Sequence, residues 1–260
     1  MGRVIAVANQ KGGVGKTTTA VNLSAALALT GQRILVVDLD PQGHATSGMG
    51  VPRNDAGPSV YDALINDAPL HSVVVPTQIL GLDLAPGSIH LAGAEVELVA
   101  LPARETRLRE TLGSVRNRYD AVIIDCPPSL GLLTLNAMVA ADEVLIPIQC
   151  EYYALEGLTR LVDTVSLIRR ELNPALRIGG VLLTMYDPRT NLAEQVAAEI
   201  RRHFAGEVFA TAIPRSVRLA EAPSFGQPVV TYDPSSRGAE AYLALAKEVA
   251  ERVGQTAAVS

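Results

Sequence analysis

The chain has 260 residues, 48% of them hydrophobic and 19% charged, with a formal net charge of −5. That length suits one large α/β domain or two small ones, and the acidic balance excludes a globally basic nucleic-acid binder without excluding a local cationic patch. Two cysteines, Cys126 and Cys150, are too few for a disulfide framework or a four-thiolate metal site. No apolar run approaches a membrane span, and the first residues read neither as a secretion leader nor as a good myristoylation signal, so a soluble cytoplasmic protein is expected.

In chain order, residues 3–8 (RVIAVA) read as a buried strand that leads into a glycine-rich turn. A helical pattern then starts near Thr17 and closes on Gly31, whose lack of a Cβ suits a helix end. Further strands are expected at 33–40, 120–128, 142–148, 178–185 and 207–214, with helices near 131–140, 154–172, 192–203 and 236–253. The strands are near-continuous apolar runs instead of alternating ones, as in a parallel sheet covered on both faces. Alternation of such strands with helices predicts an α/β fold with a doubly wound, mostly parallel sheet. Residues 51–100 are the least legible and are expected to hold a helix and a short hairpin. The whole chain, 1–260, is expected to be a single domain, with residues from about 254 to 260 as a flexible tail.

The turn after the first strand reads Ala-Asn-Gln-Lys-Gly-Gly-Val-Gly-Lys-Thr-Thr-Thr. Strand, glycine loop ending Gly-Lys-Thr, then helix is the context of a phosphate-binding loop. Gly12, Gly13 and Gly15 allow main-chain N–H groups to converge on phosphate oxygens, and the helix N-terminus adds its dipole and free donors. Lys16 is placed to bridge the outer phosphates and the Thr17 hydroxyl to meet Mg²⁺. Val14 and Thr18 complete the loop. One feature exceeds the need for a single phosphate lysine: of 22 Lys+Arg only three are lysine, and two of them, Lys11 and Lys16, share this loop. A compact ammonium on a flexible stem is being used where a planar guanidinium would not serve.

Lys-Gly-Gly-Val-Gly-Lys-Thr resembles the deviant Walker A motif of the ParA/MinD group of P-loop ATPases, in which the first lysine is the signature residue. Position 10 is Gln where the standard loop has Gly. The resemblance implies a P-loop NTPase fold, ATP and Mg²⁺ as cofactors, and an ATP-dependent homodimer in which Lys11 of one protomer reaches the nucleotide of the other. Asp38 and Asp40 close the second strand in VVDLDPQGHAT, which resembles the group's first switch. By that likeness Asp40 orients the attacking water and contributes to the metal site, whereas Asp38 remains open between metal support and an ordinary loop carboxylate. Asp125 ends AVIID and matches the Asp-x-Pro-Pro second switch, a carboxylate suited to Mg²⁺. Cys126 beside it reads as a packed residue. With no evident histidine or glutamate base, catalysis would rest on positioning and on charge neutralisation by Lys11, Lys16 and Mg²⁺, so turnover is expected to be slow.

Within the group, Cys126 is misplaced for a shared iron–sulfur cluster, no C-x-x-C pair marks a cluster carrier, and the C-terminal sequence lacks the basic amphipathic character of a membrane-binding end. The likeness then falls to the ParA/Soj partitioning branch. It implies binding of double-stranded DNA without sequence preference through Arg189 and Arg218, with Arg201 and Arg202 as further candidates, and an adenine-side loop at Pro214 and Arg215. It also implies a ParB/Spo0J-type stimulating partner, residence in the cytoplasm on the nucleoid, and no membrane. The alternative is a MinD-like or cargo-positioning ATPase acting on membrane or protein clusters.

Overall fold

The computed structural model describes residues 2–54, 57–152 and 154–257. β1 (Arg3–Val7) runs into the glycine loop and α1 (Lys16–Leu29), then β2 (Ile34–Asp38) and α2 (His44–Gly48). The less legible stretch holds α3 (Val60–Ile65), α4 (Leu70–Val73), β3 (Val75–Pro76), β4 (Leu82–Ala85) and α5 (Leu91–Glu97). α6 (Arg107–Gly113), β5 (Ala121–Asp125), α7 (Leu132–Ala140), β6 (Glu143–Gln149), α8 (Ala154–Glu171) and β7 (Arg177–Thr184) follow. α9 (Asn191–His203), α10 (Val217–Glu221), α11 (Val229–Tyr232) and α12 (Arg237–Ala257) complete the order.

The seven strands form one sheet in the order β3–β4–β2–β5–β1–β6–β7. All neighbours are parallel except the β3–β4 hairpin. The apolar strands divide their side chains between two cores at the period of two that a strand imposes. Val4 and Ala6 of β1 face the layer that includes α7, α8 and α9, and Ile5 and Val7 face that of α1 and α12. Both faces are covered, which is why the strand sequences are apolar throughout. Register sets the functional edge: Val7 pairs with Asp125, and Asp125 with Asp38, so the carboxyl ends of β1, β5 and β2 finish level with one another. Ligands of open α/β sheets bind along that edge.

One expectation needs correction. The strand expected at 207–214 is not a ladder strand; it meets β7 at the isolated bridge Val181–Val208 and through the Ile213 amide on the Leu183 carbonyl, and meets the chain just past β7 at the bridge Tyr186–Pro214. Its Ala210 and Thr211 amides donate instead to the Glu248 carboxylate, which draws them out of the ladder. α12 runs as far as Ala257, into the stretch expected as a tail, and residues 258–260 lie outside the described residues. The short hairpin expected within 51–100 is β3–β4, and its second strand also pairs along β2 as part of the sheet.

Candidate nucleotide and metal site

Gly15 precedes α1 with φ of 87°, a left-handed turn that costs a glycine little. A Cβ on Gly12 or Gly13 would meet no protein atom within 4 Å, so the loop arches over open space and not over its own packing. Two side chains, one just ahead of the glycines and one from the end of β7, hold the arch. Asn9 donates to the Pro147 carbonyl at 2.7 Å and accepts from the Lys11 amide at 3.0 Å, while the Thr184 hydroxyl donates to the Val14 carbonyl at 2.8 Å. Val14 itself is buried, so what it can offer a phosphate is main chain.

The loop borders a cavity of about 470 Å³ whose wall includes Gly12, Gly13, Gly15, Lys16, Thr17, Thr18 and Asp40 on one side and Pro214 and Arg215 on the other. The two lysines diverge here. Lys16 is 7% exposed, lines the cavity, and donates to the Lys11 carbonyl at 3.1 Å. Burial lowers its pKa, and the carboxylates of Asp125 and Asp40 pull it back. The Lys11 side chain is about half exposed, is not in the cavity wall, and makes an ion pair with Glu151.

Beneath the loop sit three carboxylates. Asp38 is wholly buried and spent on its own chain, accepting from the Thr46 hydroxyl at 2.7 Å, the Thr46 amide at 2.8 Å and the Asp40 amide at 3.2 Å. Burial pushes its carboxyl up to about 6 against the pull of those bonds. It therefore anchors the turn that carries Asp40 into α2. Asp40 accepts from the Gln42 amide at 2.9 Å and keeps an edge on the cavity. Asp125 is wholly buried, and neither oxygen has a hydrogen-bond partner among the described residues. Burial, then the neighbouring charge of Asp38, holds its carboxyl well above the ordinary range; the Thr17 hydroxyl, near but outside good bonding geometry, and the Lys16 ammonium pull the other way.

An orphaned buried carboxylate beside a threonine hydroxyl, in a cluster richer in carboxylates than in ammonium groups, is a donor set that fits Mg²⁺. Among the described residues, no three His, Cys, Asp or Glu side chains could hold an ion by themselves. An ion held by Asp125 and Thr17 thus needs further oxygens from water and phosphate, as Mg²⁺ commonly takes.

A family model described as an AAA domain matches residues 2–178. The sporulation initiation inhibitor protein Soj of Bacillus subtilis is 58% identical over 250 residues, covering 96% of this chain and 99% of that protein. The chromosome partitioning protein ParA of Myxococcus xanthus is 54% identical over 252 residues, covering 97% and 89%. The chain belongs to the ParA/Soj family of partitioning ATPases. Among solved structures, a cobyrinic acid a,c-diamide synthase from Mycobacterium smegmatis with bound ADP and magnesium matches with a TM-score of 0.83 and 40% identity, over 95% of this chain and 93% of that one. A family of this kind hydrolyses nucleotide, and its P-loop fold is the one described above.

In this ParA/Soj chain the candidate arginines fall into two groups. The Tyr186–Pro214 bridge sets the loop after β7 beside the cavity segment, and Asp187 senses both Arg189 and Arg215. Arg189 is exposed and grips Asp187 through Nε at 2.9 Å and Nη2 at 2.7 Å. Arg218, on α10, pairs with Glu221 at 2.9 Å and Asp233 at 3.1 Å. Arg201 and Arg202 stand in the last turn of α9, about 15 Å along the axis from its start, and Arg202 pairs with Glu199 at 2.9 Å. Along α9 those two stand about 15 Å from the end next to Arg189.

Sequence reasoning missed four residues of the site. Glu151 follows β6 and is joined to Lys11 only by the fold. Thr184 props the glycine loop. Tyr242 lines the cavity from α12, with its hydroxyl 3.2 Å from that of Thr19. His44, passed over as a base, lines the cavity with Nδ1 2.9 Å from Arg53 Nη2. A strand-terminal threonine was the available signal for Thr184; the other three carried none. Cys126 is buried, and its thiol is pushed upward by burial, in keeping with a packed residue.

Proposed function

We propose that this chain is an ATP-dependent DNA segregation ATPase. Its ATP-bound form is a homodimer that binds double-stranded DNA without sequence preference, and hydrolysis, stimulated by a ParB/Spo0J-type partner, releases it. It works in the cytoplasm on the nucleoid. Lys11, Lys16, Thr17, Thr18, Val14 and the three loop glycines hold the phosphates, Pro214 and Arg215 border the base, and Asp125 and Thr17 with Asp40 hold Mg²⁺. When bound, Mg²⁺ supplies positive charge to the phosphates. Asp40 orients the attacking water, and Lys16 neutralises charge on the departing group.

The observation that carries this reading is the divergence of the two lysines. Lys16 is committed to its own cavity, whereas Lys11 is held at the surface by Glu151, outside that cavity and open to a triphosphate presented by a second copy. A cation completed only by another subunit's nucleotide makes association depend on ATP. A dimer then doubles the Arg189–Arg218 face, so nucleotide state gates DNA affinity.

The test is sedimentation of the pure protein with ADP or ATP, each with plasmid DNA or with anionic liposomes. ATP should convert monomer to dimer and drive cosedimentation with DNA. DNA binding indifferent to nucleotide, or binding to liposomes alone, would overturn the reading, the latter in favour of a membrane-positioning ATPase.

A further inference from the structure

The segment 207–214 has the composition of a strand and still leaves the ladder, and one turn of α12 accounts for this. Each oxygen of the Glu248 carboxylate takes one amide, Ala210 at 2.8 Å and Thr211 at 3.0 Å. One turn on, Arg252 contacts the same carboxylate at 3.2 Å and donates to the carbonyls of Gly179 at 3.2 Å, Glu207 at 3.2 Å and Val208 at 2.9 Å. Its guanidinium also lies 4.1 Å from the centre of the Phe209 ring. The segment is thereby held by its acceptors at 207–208 and by its donors at 210–211. Against the upward push of burial, the two amides and the Arg252 charge leave the Glu248 carboxyl below its ordinary range.

Pairing resumes immediately afterwards, with the Ile213 amide donating to the Leu183 carbonyl of β7 at 2.8 Å and the amide of Tyr186, two residues past β7, donating to the Ile213 carbonyl at 2.9 Å. Ile213, Pro214 and Arg215 then enter the cavity wall, which Tyr242 of the same helix also lines. The detour at 210–212 thus sets where the far wall of the cavity begins. Ordinary ladder pairing through 210 and 211 would place those amides against β7 and move the residues that follow.

We infer that Glu248 is a positioning residue for the base side of the nucleotide cavity: by holding the Ala210 and Thr211 amides out of the sheet, it sets the height of Pro214 and Arg215 against the purine while leaving the phosphate loop untouched. The inference rests on the reading of the cavity as the ATP site. It separates two halves of the site that are built by different parts of the chain. The phosphate half comes from the β1 loop, braced by Asn9 and Thr184, and the base half is suspended from α12.

The experiment is calorimetric titration of the full chain, in Mg²⁺, with ATP and separately with inorganic tripolyphosphate, which has the phosphates and no base. The parent should prefer ATP. Glu248→Ala should weaken ATP by about tenfold and tripolyphosphate by less than about twofold, since a misplaced wall costs only the contacts made to it. Glu248→Gln, which keeps the volume and one acceptor, should fall between the two and reads the same ratio if the alanine variant does not fold. Equal losses for both ligands would make Glu248 a general stabiliser and overturn the inference, as would an unchanged ATP affinity. A parent that binds tripolyphosphate as tightly as ATP would instead sink the assignment of Pro214 and Arg215 to a base, and the inference with it.

Discussion

The phosphate-loop edge and the arginine face handle charge in opposite ways. At the edge, Asp38, Asp125 and Lys16 are buried, and Asp125 has no bonding partner among the described residues. On the face, Arg189 and Arg218 are exposed, and each is engaged by a carboxylate of its own chain. A buried charge without a partner is costly and is relieved by a ligand of opposite sign, so the edge is unfinished without one. An exposed, already paired arginine gains little from a new anion until its neighbour is displaced, and salt screens both. The edge should therefore respond to substitution steeply and the face gradually.

The largest effect should follow from Asp40→Ala. Phosphate release should fall by at least about a hundredfold, the usual scale for a positioned acid–base or orienting group, with ATP affinity changed only a few-fold. The dimer should then remain on DNA, visible as ATP-dependent pelleting that does not decay. Hydrolysis at the parental rate would remove Asp40 from the reaction.

Next comes the surface lysine, which belongs to the edge by sequence and to the face by exposure. Lys11→Ala should still bind ATP but lose the ATP-dependent dimer in size exclusion. Glu151→Gln should act the other way and raise the dimer fraction a few-fold at limiting ATP, because the resting partner of Lys11 is gone. Loss of dimer in both variants would place Glu151 in the interface instead of in competition with it.

Arg218→Glu should weaken DNA binding by about tenfold or more, as a phosphate contact in each subunit becomes a repulsion, and leave dimerisation intact. Arg201→Ala and Arg202→Ala should change DNA affinity less than about twofold, since their end of α9 stands about 15 Å from its start. Equal effects from both groups would mean that DNA runs along α9.

The same contrast explains what the sequence made legible. The runs VIAV, ILVVD and AVIID declared their strands because burial on both faces leaves no polar position to confuse the pattern, and the glycine loop declared itself because it is one contiguous stretch. Glu151 was unreadable because it meets Lys11 across 140 positions with no local trace. Residues 207–214 were misread because a carboxylate 37 residues beyond Thr211 overrides their β-propensity, the tertiary override to which strand preferences are open. The hairpin expected within 51–100 formed as β3–β4, but β4 has only four residues, one of them charged, too few to show a period that would place it. Asp38, left open between two roles, is decided by Thr46, whose amide and hydroxyl converge on one of its oxygens.

A small gain of affinity tests the face most directly. Arg218 divides its guanidinium between Glu221 and Asp233, so a DNA phosphate would have to compete with two in-chain carboxylates. Asp233→Asn removes one competitor without adding a cation. DNA affinity should rise by about two- to threefold at low salt, an increment in keeping with one exposed pair, and the advantage should shrink as salt screens the original repulsion. Asp233 also accepts from the Ser235 hydroxyl at 3.0 Å, a bond that an asparagine oxygen can keep, so thermal stability should stay near the parental value. A rise in affinity with unchanged melting would show that the face is tuned by its own acids. No rise at all would mean that phosphate does not meet Arg218, and the DNA surface would have to be sought elsewhere on the dimer.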